Sequence, residues 1–348
     1  MNAAVTGGSG FFGGALTRAL LERGDGVRVL TRSAAAAEKV RRLGAEPVPG
    51  ELTQAGSFEN FIRAGDVVFH AAARVDMAGR WEKFQRTTID GTLNLLAAAL
   101  PRKPKRFVYI SSGGVYAMNR KLTAPIRADR TPARPCRYNF YGRAKLAAEQ
   151  LVRRECERAG CEWTILRLGF LYGAGNTALL NHFVPLVESK RMYIIGAGRN
   201  RIAALYIDDA VQAALLAGEK PEGAGKIYDV AGDEPVTQKE FVRATCDALG
   251  LPTKQKRTLR GAAMFVAWIT DCLSNWANHE SHISRAAVAL MCSDQNVDSG
   301  RIRDELGWEP KIDFAEGMRR TREWSRGLST ENRSETQTNP SMTVETPS

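Results

Sequence analysis

The pentapeptide YGRAK places Tyr141 and Lys145 four residues apart, at the start of YGRAKLAAEQLVRRECERAG, a stretch with helical periodicity. Residues at that spacing share one face of a helix. A free phenol, with a pKa near about 10, exchanges protons poorly at neutral pH. A neighbouring ammonium favours the phenolate and lowers that value. The pair therefore suits proton transfer at a substrate oxygen, with Tyr141 as donor or acceptor and Lys145 tuning it. Upstream, Ser111 and Ser112 in ISSGGVY stand at the carboxyl end of a predicted strand, Arg106–Tyr116 with its exit loop. A third group lies near the N-terminus, where Gly7, Gly10 and Gly13 separate the apolar AAVTG from the helical ALTRALLERG. A strand, a glycine turn and a helix let a phosphate approach free helix N–H groups without Cβ clashes. No GK[ST] follows, so the turn is not a P-loop.

The surrounding elements must bring these groups together. Strand-like runs at AAVTG, VRVLTRS (Val27–Ser33), AEPVPGEL, DVVFHAAA (Asp66–Ala73), RFVYISS and EWTILRLGFLYG alternate with helix-length segments, including TIDGTLNLLAAAL. That alternation predicts an α/β fold, a doubly wound parallel sheet with helices on both faces. Ligands of such sheets bind at the carboxyl ends of the strands. After Gly173 the alternation breaks up, although AALYIDDAVQAALLAG returns as one more strand and helix. The expected organisation is a dinucleotide-binding Rossmann domain over 1–173 and 200–232. A smaller, mostly helical substrate lobe over 174–199 and 233–327 follows, with a polar, disordered tail over 328–348.

The spacing Thr6-Gly7-x-x-Gly10-x-x-Gly13, together with ISSGGVY and YGRAK, resembles the extended short-chain dehydrogenase/reductases, the NAD-dependent epimerase/dehydratase superfamily. The resemblance runs from Met1 to about Gly327. It implies a catalytic set of Ser112, Tyr141 and Lys145, with Ser111 a structural neighbour and Lys145 also holding the nicotinamide ribose. It implies a cofactor seat built from Thr6, Gly7, Gly10, Phe11, Phe12, Gly13, Arg32, Glu51, Leu52, Ala71, Ala72, Ala73, Tyr141 and Lys145. An acidic residue ending the second strand would take the adenosine ribose of NAD. Here LTRS offers Thr31 and Arg32 and no carboxylate, which favours NADP(H) and leaves NAD(H) open. Glu51-Leu52 resembles the acidic-apolar pair around adenine, with Glu where Asp is usual. Two departures stand out. TIDGTLN has Thr88 in place of the first Asn of the family's NVxGTxN, so that residue's role is not carried over, and LRLGFLYGAG lacks the usual prolines.

DVVFHAAARVDMAGRWEKFQRTTIDGTLNLLAAA looks most like the 3β-hydroxysteroid dehydrogenase and sterol-4α-carboxylate 3-dehydrogenase branch, chiefly through the insertion VDMAGRWEKF. The implied activity is an NAD(P)-dependent oxidoreductase acting on an alcohol or ketone of a largely apolar substrate, steroid-like or a β-keto lipid. Two alternatives stay open. A nucleotide-sugar 4-epimerase or dehydratase would retain its cofactor and use cations such as Arg201 on a diphosphate, although IAALY is apolar for that role. A non-catalytic, NADP-binding regulator would have little use for an intact Ser112, Tyr141 and Lys145.

The chain has 348 residues, 44% of them hydrophobic, which suffices for a large core. The net charge of +11 is scattered and not interleaved with aromatics, which argues against nucleic acid and suits an anionic cofactor or a membrane surface. Six cysteines form no CxxC pair, consistent with reduced thiols in a cytoplasmic protein, and suggest no metal site. No signal peptide and no membrane span is expected. Lys254–Trp276, a basic start followed by apolar and aromatic residues, could contact a membrane peripherally. The plainer expectation, a core-facing helix with a solvated basic start, outweighs it. A homodimer is compatible with the sequence and not specified by it.

Overall fold

The computed structural model describes residues 1–75, 79–116, 124–277 and 284–338. The first half alternates as its periodicity requires: β1 (Asn2–Thr6), α1 (Phe11–Glu22), β2 (Gly26–Thr31), α2 (Ala34–Leu43), β3 (Glu46–Pro49) and β4 (Val67–His70). Next come α3 (Trp81–Phe84), a π-helical turn Gln85–Asp90, α4 (Gly91–Ala99), β5 (Arg106–Ser112), α5 (Phe140–Ala159) and β6 (Glu162–Leu168). Part of the insertion VDMAGRWEKF, residues 76–78, lies outside the described residues.

The second half is more broken. It runs β7 (Phe170–Tyr172), α6 (Thr177–Glu188), β8 (Tyr193–Ile195), β9 (Arg201–Ile202), β10 (Ala204–Tyr206), α7 (Ile207–Glu219), β11 (Lys226–Val230), β12 (Val236–Thr237) and α8 (Gln238–Ala248). It ends with β13 (Lys256–Thr258), α9 (Arg260–Ala277), α10 (Arg285–Cys292), α11 (Gly300–Leu306) and α12 (Phe314–Thr338).

Seven strands form one parallel sheet in the order β3-β2-β1-β4-β5-β6-β11. Its strands are apolar on both faces because both are covered. Leu16 and Leu20 of α1 and Ala210 and Ala214 of α7 pack with Val29, Phe69 and Val108 on one side. Leu95 and Leu96 of α4 and Val152 of α5 pack with Phe107, Tyr109 and Ile165 on the other. Pro47 and Pro49 fall on β3, an edge strand, where a missing backbone donor costs least. The chain reverses winding between β1 and β4, and the reversal opens a crevice at the carboxyl ends of those strands.

The run EWTILRLGFLYG is two strands, not one. β6 ends at Leu168, and β7 pairs instead with β10 outside the main sheet. Gly169 makes the break, since a Cβ there would lie 2.3 Å from the Ala203 carbonyl oxygen. Asp209 on α7 ties the C-terminal segment back to the sheet: its carboxylate accepts from the Lys311 and Ile312 amides, and its carbonyl from the Trp308 indole. The helix α12 continues to Thr338, into the polar stretch expected to be disordered, and 339–348 lie outside the described residues. The expected core-facing helix within Lys254–Trp276 is corrected: α9 turns Phe265, Val266, Trp268, Ile269 and Leu273 outward, although Ala263, Met264 and Ala267 pack inward. Hydropathy period fixes which residues share a face, not which way that face points.

Candidate active site

The turn after β1 is built on close backbone approach. Gly7 has φ +73°, and a Cβ on it would sit 2.9 Å from the Ala72 amide nitrogen. A Cβ on Gly13 would sit 2.2 Å from the Gly7 carbonyl oxygen. The glycines thus press the turn against α1 and against Ala71–Ala73 after β4. Gly10 caps α1 without a side-chain hydrogen bond, and the first turn, which begins at Phe11 and Phe12, contains no acid. Its N–H groups and positive dipole end are left for an anion, the feature a pyrophosphate needs.

Behind this turn runs a buried chain of hydrogen bonds whose directions follow from one another. The Thr92 hydroxyl donates to the Thr88 carbonyl (2.5 Å), so it accepts from His70 Nε2 (2.9 Å). His70 Nδ1 therefore accepts from the Thr6 hydroxyl (2.7 Å), whose oxygen takes the Ala72 amide (3.1 Å). Full burial drives the imidazole pKa down to about 3, with the Lys145 charge adding to the effect. His70 is thus a fixed neutral link locking the ends of β1 and β4 to α4. The motif alone did not assign it a role. Thr88, the family departure, is buried, and its own hydroxyl has no hydrogen-bond partner among the described residues.

Two cations flank the turn on its other side. Arg32 is exposed at the end of β2, immediately before Ser33, whose hydroxyl caps α2 by accepting from Ala36. Lys39 of α2, absent from the motif reading, reaches back to donate to the Ser9 carbonyl at 2.7 Å. Glu51 and Leu52 follow β3, where the Gly50 amide donates to the Thr31 carbonyl at 3.0 Å. The Glu51 carboxylate accepts from the Thr53 hydroxyl, and the Leu52 carbonyl accepts from Asn94 of α4.

At the end of β5 the two serines separate. Ser111 Oγ donates to Glu149 in the interior (2.5 Å). Ser112 is half-buried, accepts the Gly114 amide (3.1 Å), and lies close enough to Tyr141 to ease its phenol toward ionisation. The start of α5 holds this contact. Asn139, its cap, donates to the Gly114 carbonyl (2.8 Å) and accepts from the Gly142 amide (2.9 Å). Gly142 must lack a side chain, because a Cβ there would lie 2.1 Å from the Gly114 carbonyl oxygen. Neither Asn139 nor Gly142 was singled out from sequence, although both belong to the stretch NFYG that opens the helix.

Lys145 is buried and donates to the Ile110 carbonyl at 2.6 Å, with its ammonium 4.7 Å from the centre of the Tyr109 ring. Burial pulls its pKa down to about 7, and Glu149 one turn on partly restores it. Tyr141 does not behave as the isolated pair predicts. Burial holds its phenol above the usual range, and neighbouring Ser112 eases it down. The lysine is turned to β5, toward the Ile110 carbonyl.

Beneath the site, Arg167 of β6 grips Glu149 with contacts down to 2.6 Å and donates to the Tyr116 hydroxyl at 2.8 Å. Tyr116 in turn donates to Asp229 of β11 at 2.8 Å. Two carboxyls thus share one guanidinium, and burial raises the Asp229 pKa to about 7. Arg201, weighed as a diphosphate ligand, makes a bidentate pair with Asp294. A groove of about 750 Å³ lined by Glu234, Glu240, Asp247 and Phe314 contains none of the site residues. Among the described residues, no helix is long and apolar enough to cross a membrane, and no cluster of His, Cys, Asp and Glu could hold a metal ion.

Residues 3–231 match the model of the NAD dependent epimerase/dehydratase family. The chain is 30% identical over 320 residues to a 4-hydroxy-2-methyl-3-oxo-4-farnesyl-3,4-dihydroquinoline-1-oxide ketoreductase of Stigmatella aurantiaca, covering 91% of this chain and 95% of that protein. It is 26% identical over 337 residues to a decarboxylating sterol-4-alpha-carboxylate 3-dehydrogenase of Schizosaccharomyces pombe, covering 93% and 97% of the two chains. Its fold matches a UDP-glucose 4-epimerase of Thermotoga maritima with a TM-score of 0.71 at 23% identity, covering 94% of this chain and all of that one.

Proposed function

We propose that this protein, which belongs to the NAD dependent epimerase/dehydratase family and is an NAD(P)-dependent oxidoreductase, interconverts a secondary alcohol and a ketone on a largely apolar, lipid-like substrate. The observation that carries the reading is that Ser112, Tyr141 and buried Lys145 come together where β5 ends and α5 begins, at the strand ends that also hold the glycine turn. Two relatives support the substrate class, since one is named for a farnesylated 3-oxo compound and the other for a sterol carboxylate.

The glycine cradle and the uncapped start of α1 fit a dinucleotide, with Thr6, Gly7, Gly10 to Gly13 and Ala71–Ala73 around its phosphates and Glu51-Leu52 toward its adenine. When bound, the nicotinamide supplies or accepts the hydride at the substrate carbon. The chain's own residues then manage the oxygen. Ser112 donates a hydrogen bond to it, and Tyr141 delivers its phenolic proton as the carbonyl becomes an alcohol, or takes that proton back in oxidation. A phenolate left at Tyr141 is a buried anion, and Lys145, one turn on along α5, is the cation this reading assigns to stabilise it. An ammonium has three donors, and Ile110 uses one, leaving two for ribose hydroxyls and for Tyr141. Arg32, with Lys39 on the same side of the turn, favours NADP(H) through the extra phosphate.

The test is a nicotinamide absorbance assay. Purified protein is incubated with NADPH or NADH and a panel of keto-steroids and β-keto lipids, then with UDP- and dTDP-sugars. Cofactor oxidation confined to the lipid ketones is the expected result. Sugar conversion with no net change in cofactor would overturn the proposal.

A further inference from the structure

Helix α9 is built the wrong way round for a protein surface facing water. Its exposed positions are Gly261, Ala262, Phe265, Val266, Trp268, Ile269, Cys272 and Leu273, with no charge among them from 261 to 273. Phe265 is 60% exposed, Leu273 56%, and Leu259 just before the helix 78%. Phe265 and Trp268 lie side by side with ring centres 6.0 Å apart. The inner face carries Ala263, Met264 and Ala267, packed against Ile195 and Val288. The only acid in the helix, Asp271, points inward to Arg285 at 2.7 Å. A solvated helix is apolar inward and charged outward, whereas α9 is apolar on both faces.

The approach to this helix is basic. Lys254, Lys256, Arg257 and Arg260 are all exposed. Strand β13 pairs with β8, Lys256 opposite Tyr193, which sets exposed Lys190 and Arg191 beside the same segment. The apolar face therefore has a cationic margin, the combination that partitions into an anionic lipid interface. It also adjoins the site. Arg285, held by Asp271, lies 5.5 Å over the ring of Tyr138, three residues ahead of Tyr141.

We propose that α9 and the basic segment before it dock this protein on an anionic bilayer surface. The helix lies in the interface with Phe265, Trp268, Ile269 and Leu273 among the acyl chains and Lys256 and Arg257 among the headgroups. Docking would give the site access to ketones dissolved in the membrane, a role that rests on the lipid-like substrate proposed above.

The experiment is co-flotation of the full chain with vesicles of phosphatidylcholine mixed with phosphatidylglycerol, against phosphatidylcholine alone. It uses neither cofactor nor substrate, so it succeeds or fails independently of the nicotinamide assay. The chain should float with the anionic vesicles and be released by salt. Phe265→Ser/Trp268→Gln should abolish flotation, and Lys256→Gln/Arg257→Gln should weaken it on the order of 25-fold, about fivefold per charge. All four side chains are exposed, so both variants should melt like the parent chain. Turnover of a water-soluble ketone should be unchanged in both. Absence of flotation by the parent chain overturns the proposal. So does a self-association, seen by sedimentation velocity, that Phe265→Ser/Trp268→Gln dissolves, which would assign the face to a second copy. A raised KM for the soluble ketone with unchanged flotation would assign it instead to the substrate cavity.

Discussion

Replacing Asp229 with Asn should make the protein more stable at high pH and slightly less stable at low pH. Asp229 accepts from Tyr116, while Arg167 directs its forked contacts to Glu149. The carboxyl is thus left inside the protein with a shared cation, and burial raises its pKa from 3.8 to about 7. A group whose pKa is higher in the folded state contributes stability that is complete below the unfolded value. That stability is lost as the pH rises through the folded value. The window here runs from about pH 4 to about pH 7, and the shift of roughly three units corresponds to about 4 kcal/mol across it. Asn keeps the shape and an acceptor for Tyr116 but cannot ionise. Its amide must be accommodated where an oxygen stood, at a cost of about 1 kcal/mol. The variant should therefore fall below the parent chain by about 1 kcal/mol near pH 4 and exceed it by about 3 kcal/mol at pH 8. At about 2 °C per kcal/mol, the difference in Tm between variant and parent should swing by roughly 8 °C across the window. Thermal melts followed by circular dichroism at several pH values read this directly. A variant destabilised equally at both ends would show that Asp229 is already ionised at neutral pH and that burial does not hold its proton.

The remaining predictions concern the site. Tyr141→Phe should lower turnover by about 10² to 10⁴-fold, the usual share of a general acid, while leaving dinucleotide affinity by fluorescence titration nearly unchanged. Arg32→Asp should shift the ratio of kcat/KM values from NADPH toward NADH, and an unmoved ratio would make Arg32 a bystander. Gly142→Ala should part α5 from the Gly113–Val115 turn, because its Cβ would meet a backbone oxygen at 2.1 Å. Turnover should be lost and Tm lowered, with dinucleotide binding surviving in the folded fraction. An active Gly142→Ala enzyme would refute the fit described for Ser112 and Tyr141.

Legibility in the sequence followed distance along the chain. The strands and helices of the first half were readable because their signals are local: an apolar run, a 3.6-residue stripe, a glycine stop. The glycine turn and YGRAK were readable for the same reason, each being complete within a few residues. Ser112 was distinguished from Ser111 only through resemblance, and the reason lies in the neighbours. Ser111 is claimed by Glu149, 38 residues away, and that contact leaves no trace near either serine in the sequence.

The same limit explains the links that no motif contained. Thr6, His70 and Thr92 sit at the ends of three separate elements, 64 and 22 residues apart, and only the parallel register of β1 with β4 makes them neighbours. Three ordinary residue types then become a fixed support for the glycine turn. Helix α9 is the opposite case, in which the local pattern was clear and the inference from it was not. Its run of apolar residues was plain in the sequence, but Val288 and Ile195 seat the inner side through Ala263 and Ala267. The larger residues were left for the outside, where ordinary solvation gives them no reason to be. A helix whose two sides are both apolar needs two apolar surroundings, and the fold of a single chain provides only one.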